Sequence, residues 1–377
     1  MWRYIFKALI IGGLIYTVVT GSLFKVAAVL FALSLILFVH ELGHFLAAKL
    51  MGTPVEEFSI GMGSTVLWQR EIGETLFVLR ALPIGAYVKM EDDLDEPERY
   101  VAKKLPPRVI ILLAGSVFNI LLAFSLTSSR LYLCGQRPTS LKLQTVDEAR
   151  PAYAAGLRPG DEITQIGGVP VTSSYQVLNS IRESGGQPLQ LQVTRGQERV
   201  NCQLIPASTP TGGSAGFTGV PVFLAGPSKV FSLGQSISKG LSATIKQALF
   251  TAQMAYMLIG KIFQSGTMPK GVGGPVKVAQ VAWSANSLEQ FVAITASLSV
   301  SIGVFNMLPL PLLDGGRIIV AFIAWLFGLF LSILKWEEET KFQSLQKFEM
   351  SMNLVGLVGL ALLFFLASYN DLANLFC

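Results

Sequence analysis

Residues 26–50 read VAAVLFALSLILFVHELGHFLAAKL, an apolar run whose ionisable side chains are confined to His40, Glu41, His44 and Lys49. The hydrocarbon layer of a bilayer is about 30 Å thick and takes roughly 20 residues of helix. No water reaches the backbone there, so a spanning segment must be a helix or part of a closed barrel. Three further runs, 109–129, 290–312 and 352–369, have the length and are nearly free of charge. Only 14% of the 377 residues are charged, well below the roughly one quarter typical of soluble domains. The sequence therefore predicts a polytopic α-helical membrane protein with four to five transmembrane helices. Segment 8–24 is marginal in length and follows Arg3 and Lys7, which suits an uncleaved anchor with a cytoplasmic N-terminus. An interfacial helix is the other reading of that segment. The run 317–334 is also apolar enough, but it starts straight after a Pro/Gly-broken stretch. It either lies along the membrane or extends the preceding helix.

Basic residues near the ends of spans set the orientation. Lys49 ends the first long run, and Arg70, Arg80, Lys89, Lys103, Lys104 and Arg108 follow it, the last three tight against the next one. That loop is expected on the cytoplasmic side, with HELGH toward the cytoplasmic end of its span. Residues 130–288 then lie outside, and KWEEETKFQSLQK (335–347) returns to the cytoplasm. The net charge of +5 comes from scattered side chains, which excludes a nucleic-acid footprint. Cys134, Cys202 and Cys377 are too far apart for a disulfide framework or a CxxC metal site.

The external region changes character at 138–207. Short alternating strands (EITQI, LQLQVTR, RVNCQLI) bracket one helical stretch, Ser174 to Glu183. The piece AAGLRPGDEITQIGGVPV resembles a PDZ domain, and the resemblance implies an α+β domain that takes an extended peptide at a sheet edge. Residues 208–227 are rich in Gly, Ser, Thr and Pro and read as a linker. Residues 229–264 show a helical pattern with spaced lysines, read as an amphipathic helix on the outer membrane surface. The expected organisation is an anchor or interfacial helix at 1–25, a first membrane half at 26–130 and the PDZ-like domain at 138–207. A linker and surface helix at 208–288 and a second membrane half at 289–377 complete it.

The chain's only two histidines stand four apart in the first span. On a helix that spacing puts His40 and His44 on one face, with Glu41 beside them. Two imidazoles and a carboxylate suit a catalytic zinc, which takes three protein ligands and leaves one position open. Ionisable groups inside a membrane span are costly, and their presence points to function rather than packing. A third ligand has to come from membrane depth, and Asp314 in FNMLPLPLLDGGR (305–317) is the acidic residue nearest the apolar core of another span. The prolines and glycines around it break the helix, which is tolerated where backbone lines a cavity.

HELGH, NMLPLPLLDGG and an intervening PDZ-like domain together resemble the site-two protease family of intramembrane zinc metalloproteases, in its bacterial form. FSIGMG (58–63) and LPIGAYVKM (82–90) are similar to the family's cytoplasmic-side β-hairpin, here 55–90. AGSVFNILLA (114–123) and GGPVKVA (273–279) resemble two further family segments. The resemblance implies one Zn2+ per chain held by His40, His44 and Asp314, with Glu41 as general base. It implies roles for Asn119 and Asn306 in positioning substrate or stabilising an oxyanion, and substrate contact near Gly61, Gly63 and Gly85. The expected substrates are single-span membrane proteins in a bacterial inner membrane, cut in regulated proteolysis or in clearing signal-peptide remnants. Two departures stand out: AGS replaces AGP, and there is room for one PDZ-like domain where two are frequent. A catalytically silent scaffold would lack a ligand, yet all four catalytic positions are filled. A metal transporter would need inverted repeats, which are missing.

Overall fold

The structure is a computed structural model that describes residues 23–90, 104–136, 139–171, 174–209, 212–223, 229–265, 285, 287–310 and 313–333, with a few isolated positions between 348 and 359. Helix α1 (Leu23–Leu50) leads into strands β1 (Val55–Ile72) and β2 (Thr75–Met90), and then into α2 (Leu105–Cys134). Next come β3 (Thr139–Val146), α3 (Pro151–Ala154), β4 (Glu162–Ile166), β5 (Val169–Pro170) and α4 (Ser174–Glu183). Strands β6 (Leu189–Arg195), β7 (Glu198–Leu204), β8 (Ala207–Thr209), β9 (Gly212–Ser214) and β10 (Phe217–Phe223) follow. Three long helices, α5 (Leu233–Ser265), α6 (Leu288–Asn306) and α7 (Asp314–Ile333), close the described chain.

Four of these helices are long and apolar enough to cross a membrane: Phe24–Leu50 of α1, then α2, α6 and α7. The expected span 290–312 is cut short, because α6 stops at Asn306. Pro309 and Pro311 lie just beyond it, and proline neither donates a backbone hydrogen bond nor lets its predecessor stay helical. The run expected at 317–334 does not extend α6: it is a separate helix beginning at Asp314. The spans expected at 8–24 and 352–369 fall on or largely on residues outside the described ones.

The chain divides into two compact units, one made of residues up to 122 and from 301 to 363, the other centred on 123–300. In the first unit, β1 and β2 form more than the expected hairpin. Ile72 pairs with Thr75 and the ladder runs back to Val66 opposite Arg80. Residues 57–60 then pair a second time, with Leu76–Leu79 on one side and Ala86–Lys89 on the other. The ribbon folds back on itself where Gly61 (φ +85°) and Gly85 (φ +83°) adopt a backbone that side chains disfavour. Polar bonds tie its arms together: Arg80 donates to Glu57 Oε1 at 2.6 Å, to Ser59 Oγ at 3.0 Å and to the Gly63 carbonyl at 2.9 Å. Tyr87 Oη–H donates to the same Glu57 oxygen at 2.7 Å.

Phe38 and Phe45, seven residues apart and so on one face of α1, hold this sheet to the helix. Phe38 meets Phe58 with ring centroids 5.9 Å apart, and Phe45 meets Phe58 and Phe77 at 5.2 and 5.6 Å. Farther toward the start of α1, Ser34 Oγ–H donates to the Pro83 carbonyl. The last part of β2 therefore runs alongside α1 toward Glu41.

The second unit contains a sheet of order β10-β3-β4-β6-β7, with β5 paired to β4. Leu141, Leu157, Ile163, Val177, Leu191, Val193 and Leu204 are buried between sheet and helices as its core. Residues 208–223, expected as linker, are instead largely strand. Strand β10 pairs with β3 from Phe217 opposite Val146 to Phe223 opposite Thr139, closing an edge the sequence left open. Glycine-rich composition hides this strand, because its pairing partner lies some 75 residues earlier in the chain and no local pattern reports it. Asp161, buried at the start of β4, accepts two bonds from Arg195 at 2.8 Å and one from the Arg158 amide at 2.9 Å. Burial pulls its carboxyl upward, but these donors outweigh that and hold it below its ordinary range.

Helix α5 turns small or polar side chains inward. Ser236 and Thr244 are buried, and a β-carbon on Gly240 would lie 2.1 Å from Ser128 Oγ of α2. Leu233, Ile237, Leu241, Ile245 and Leu249 form an exposed stripe four residues apart.

Candidate metal centre

Helix α1 places His40 and His44 one turn apart, and their Nε2 atoms are 3.1 Å from each other. Asp314, the first residue of α7, brings Oδ2 to 3.1 Å from His40 Nε2 and 3.4 Å from His44 Nε2. All three side chains are buried. Ligands about 2.0–2.1 Å from a tetrahedral zinc are about 3.3 Å from one another. The observed triangle has that size, and two imidazole nitrogens and a carboxylate are the donor types that zinc takes. The residues fit the metal.

The rings are oriented from behind. His44 Nδ1–H donates to the Ile111 carbonyl of α2 at 2.8 Å, leaving Nε2 as the lone-pair nitrogen. The Asn119 amide stands 3.3 Å from His40 Nδ1. The atom nearest the ring is the amide nitrogen Nδ2; exchanging the two ends of the amide would let Oδ1 accept the Nδ1–H, and His40 would then present Nε2 to the centre as His44 does.

Backbone contact makes this possible. A β-carbon on Gly43 would sit 2.5 Å from the Ala114 carbonyl oxygen, and one on Gly115 would sit 2.4 Å from His44 Nε2. Only glycines let α1 and α2 approach so closely. On the other side a β-carbon on Gly303 would be 3.2 Å from Asn119 Cβ, which draws the end of α6 against α2.

The break after α6 delivers Asp314. Amides of Met307 and Leu308 bond back to Val304 and Phe305 at 3.1 and 3.0 Å, and Leu313 bonds to Leu310 at 3.1 Å. The chain restarts as α7, whose N-terminal turn favours a carboxylate such as that of Asp314. A cavity of about 240 Å³ opens on the three ligands, lined also by Glu41, Val88, Met90, Leu112, Asn306, Leu313 and Arg317.

The structure brings together His40, Glu41, His44, Asn306 and Asp314, as the sequence suggested. Asn306 Nδ2 is 3.1 Å from His40 Nε2, and the residue lines the cavity. Asn119 is fully buried, its amide meets the His40 ring, and it is not among the residues lining the cavity. Gly61, Gly63 and Gly85 are not brought to the cavity either. Gly61 lies against the Leu82 carbonyl and Gly85 against Met62, so they shape the ribbon. The ribbon's contribution comes from Val88 and Met90. Sequence reasoning also missed Gly115 and Arg317, although each sits inside a quoted motif, AGS and DGGR.

The profile of peptidase family M50 matches residues 28–335. Two cyanobacterial proteins share the name "Putative zinc metalloprotease". The one from Nostoc sp. is 31% identical over 323 residues, covering 81% of this chain and 87% of its own length. The one from Synechocystis sp. is 30% identical over 394 aligned positions, covering 94% and 96%. Among solved structures, the PDZ domain of an SdrC-like protein from Listeria innocua aligns with 23% identity and a TM-score of 0.20. That alignment spans 21% of this chain and 92% of that domain.

Proposed function

The chain belongs to peptidase family M50 and is an integral membrane zinc metalloprotease, and from there we propose that it hydrolyses peptide bonds within the membrane spans of other proteins. One observation carries the reading: a zinc-sized triangle of His40, His44 and Asp314, flanked by Glu41, is buried partway along a helix long enough to span. One Zn2+ per chain at this triangle supplies Lewis-acid polarisation of water and of a carbonyl oxygen.

The chain's own groups then divide the work. Glu41, in the same cavity, takes a proton from the attacking water and passes it to the leaving amine. Asn306 turns amide N–H groups toward the open side of the ligand triangle, where the carbonyl oxygen gains charge. Asn119 holds His40 in the ligating orientation. A transmembrane helix hides its peptide bonds in internal hydrogen bonds, so it has to be unwound before cleavage. Residues 86–90, the sheet edge that passes the cavity, suit that task by pairing with an extended substrate segment.

Leu67, Trp68, Ile72 and Leu82 stand exposed on the ribbon, which supports its dipping into the bilayer from the cytoplasmic side. The α5 stripe supports contact with lipid at the outer surface. In this arrangement the PDZ-like domain is external and binds a peptide or partner that regulates entry. Substrates are single-span membrane proteins of a bacterial inner membrane, and the activity suits regulated proteolysis or signal-peptide clearance.

The test is Glu41→Gln in full-length protein reconstituted with a single-span substrate. Zinc content should match wild type while cleavage stops. Cleavage at the wild-type rate would remove Glu41 from the role of base.

A further inference from the structure

Peptide hydrolysis turns a neutral amide into two charged ends, and a cavity in an apolar layer must accommodate the new carboxylate. Among the residues lining this cavity, which include the carboxylates Glu41 and Asp314, Arg317 is the sole Lys or Arg. It stands three positions after Asp314, which puts both on one side of the first turn of α7. Asp314 turns Oδ2 to the two histidines. The backbone amide of Arg317 donates to the Leu313 carbonyl at 2.9 Å. Arg317 is exposed and, among the described residues, enters no ion pair. A guanidinium is a planar fork that matches the two oxygens of a carboxylate, which a neutral amide lacks.

We propose that Arg317 binds the carboxylate formed on the N-terminal fragment of the substrate and so sets how tightly that product is held. The step balances without it: the C–N bond breaks, water supplies the oxygen that joins the carbonyl carbon, and its proton reaches the departing nitrogen. Arg317 stays protonated throughout and contributes hydrogen bonds alone. The assignment rests on the peptidase reading above and names one substrate-binding group for it.

The experiment uses two versions of one product peptide, ending in a free carboxylate or in an amide, as inhibitors of substrate cleavage by the full chain. In Arg317→Gln the inhibition constant of the carboxylate should rise roughly tenfold or more, with that of the amide unchanged. Arg317→Lys should fall between, since a point charge attracts the anion without the fork. Zinc content should equal wild type in both variants. An unchanged carboxylate constant, or equal weakening of both peptides, overturns the proposal. If Arg317→Gln does not accumulate, Arg317→Lys decides in the same terms. A wild-type chain that hydrolyses nothing overturns the peptidase reading instead, so the two failures are distinguishable.

Discussion

Gly115 of α2 lies so close to His44 of α1 that a β-carbon on it would stand 2.4 Å from the ligating nitrogen. The same atom would lie 2.7 Å from His40 Cε1. The smallest residue in α2 is therefore what leaves room for both imidazoles to converge.

Gly115→Ala tests this relationship. Its methyl group cannot move away, because it is fixed to a helix backbone, so the rings must turn or the helices part. The purified variant should lose most of its zinc and about a hundredfold or more of its cleavage rate. Metal analysis showing a full complement of zinc would contradict the packing argument.

Asn119→Ala removes the partner of His40 Nδ1 without touching the cavity wall. Outer partners of this kind are worth about 10–100-fold in metal affinity. Chelator competition should show that loss, and Asn119→Asp, which keeps an acceptor beside the ring, should recover most of it. A variant that binds zinc as wild type but cleaves poorly would return Asn119 to a role in substrate contact.

Arg130 of α2 and Glu289 of α6 form a largely buried ion pair at 3.3 Å. Removing one member takes an opposite charge away from the other in a poor solvent, which costs up to about 3–5 kcal/mol, whereas replacing both with apolar residues is close to neutral. Arg130→Gln should therefore lower the melting temperature in detergent more than the double change Arg130→Met with Glu289→Leu. Equal destabilisation by both would show that the pair is solvated.

The β-sheet domain of the second unit should be acid-sensitive through Asp161. Its folded carboxyl titrates below the ordinary 3.8 because Arg195 and the Arg158 amide hold the charged form. A depressed folded value means stability that is fully present above pH 3.8 and drains as pH falls through the folded value. Hydrogen exchange across β4 and β6 should accelerate below about pH 4. Asp161→Asn should abolish that extra acid step and weaken the domain by roughly 2 kcal/mol at neutral pH. An unchanged exchange profile at pH 3 would rule the pair out as a contributor.

Much of the membrane part was legible in order along the chain. Apolar length announced α1 and α2, and the four-residue spacing announced that His40 and His44 share a face, because helical periodicity is a local property. The prolines after Asn306 announced a break. What they could not announce was that the break lets a fresh helix start at Asp314, since the same residues also end a chain at a membrane edge.

The sequence by itself determined the chemistry on offer: two imidazoles four residues apart with a carboxylate between them, set in an apolar helix, and one more carboxylate beside a broken segment. Tertiary structure decided which of these meet. Asn306, 266 positions from His40, reaches its ring because Gly43, Gly115 and Gly303 allow three helices to touch backbone to backbone. The ribbon that folds back to present Val88 and Met90, and the strand β10 hidden in a glycine-rich stretch, depend on pairing between distant segments. Local patterns record which face of an element is apolar. The partner for that face is chosen by steric fit across the fold, and no stretch of sequence carries that information alone.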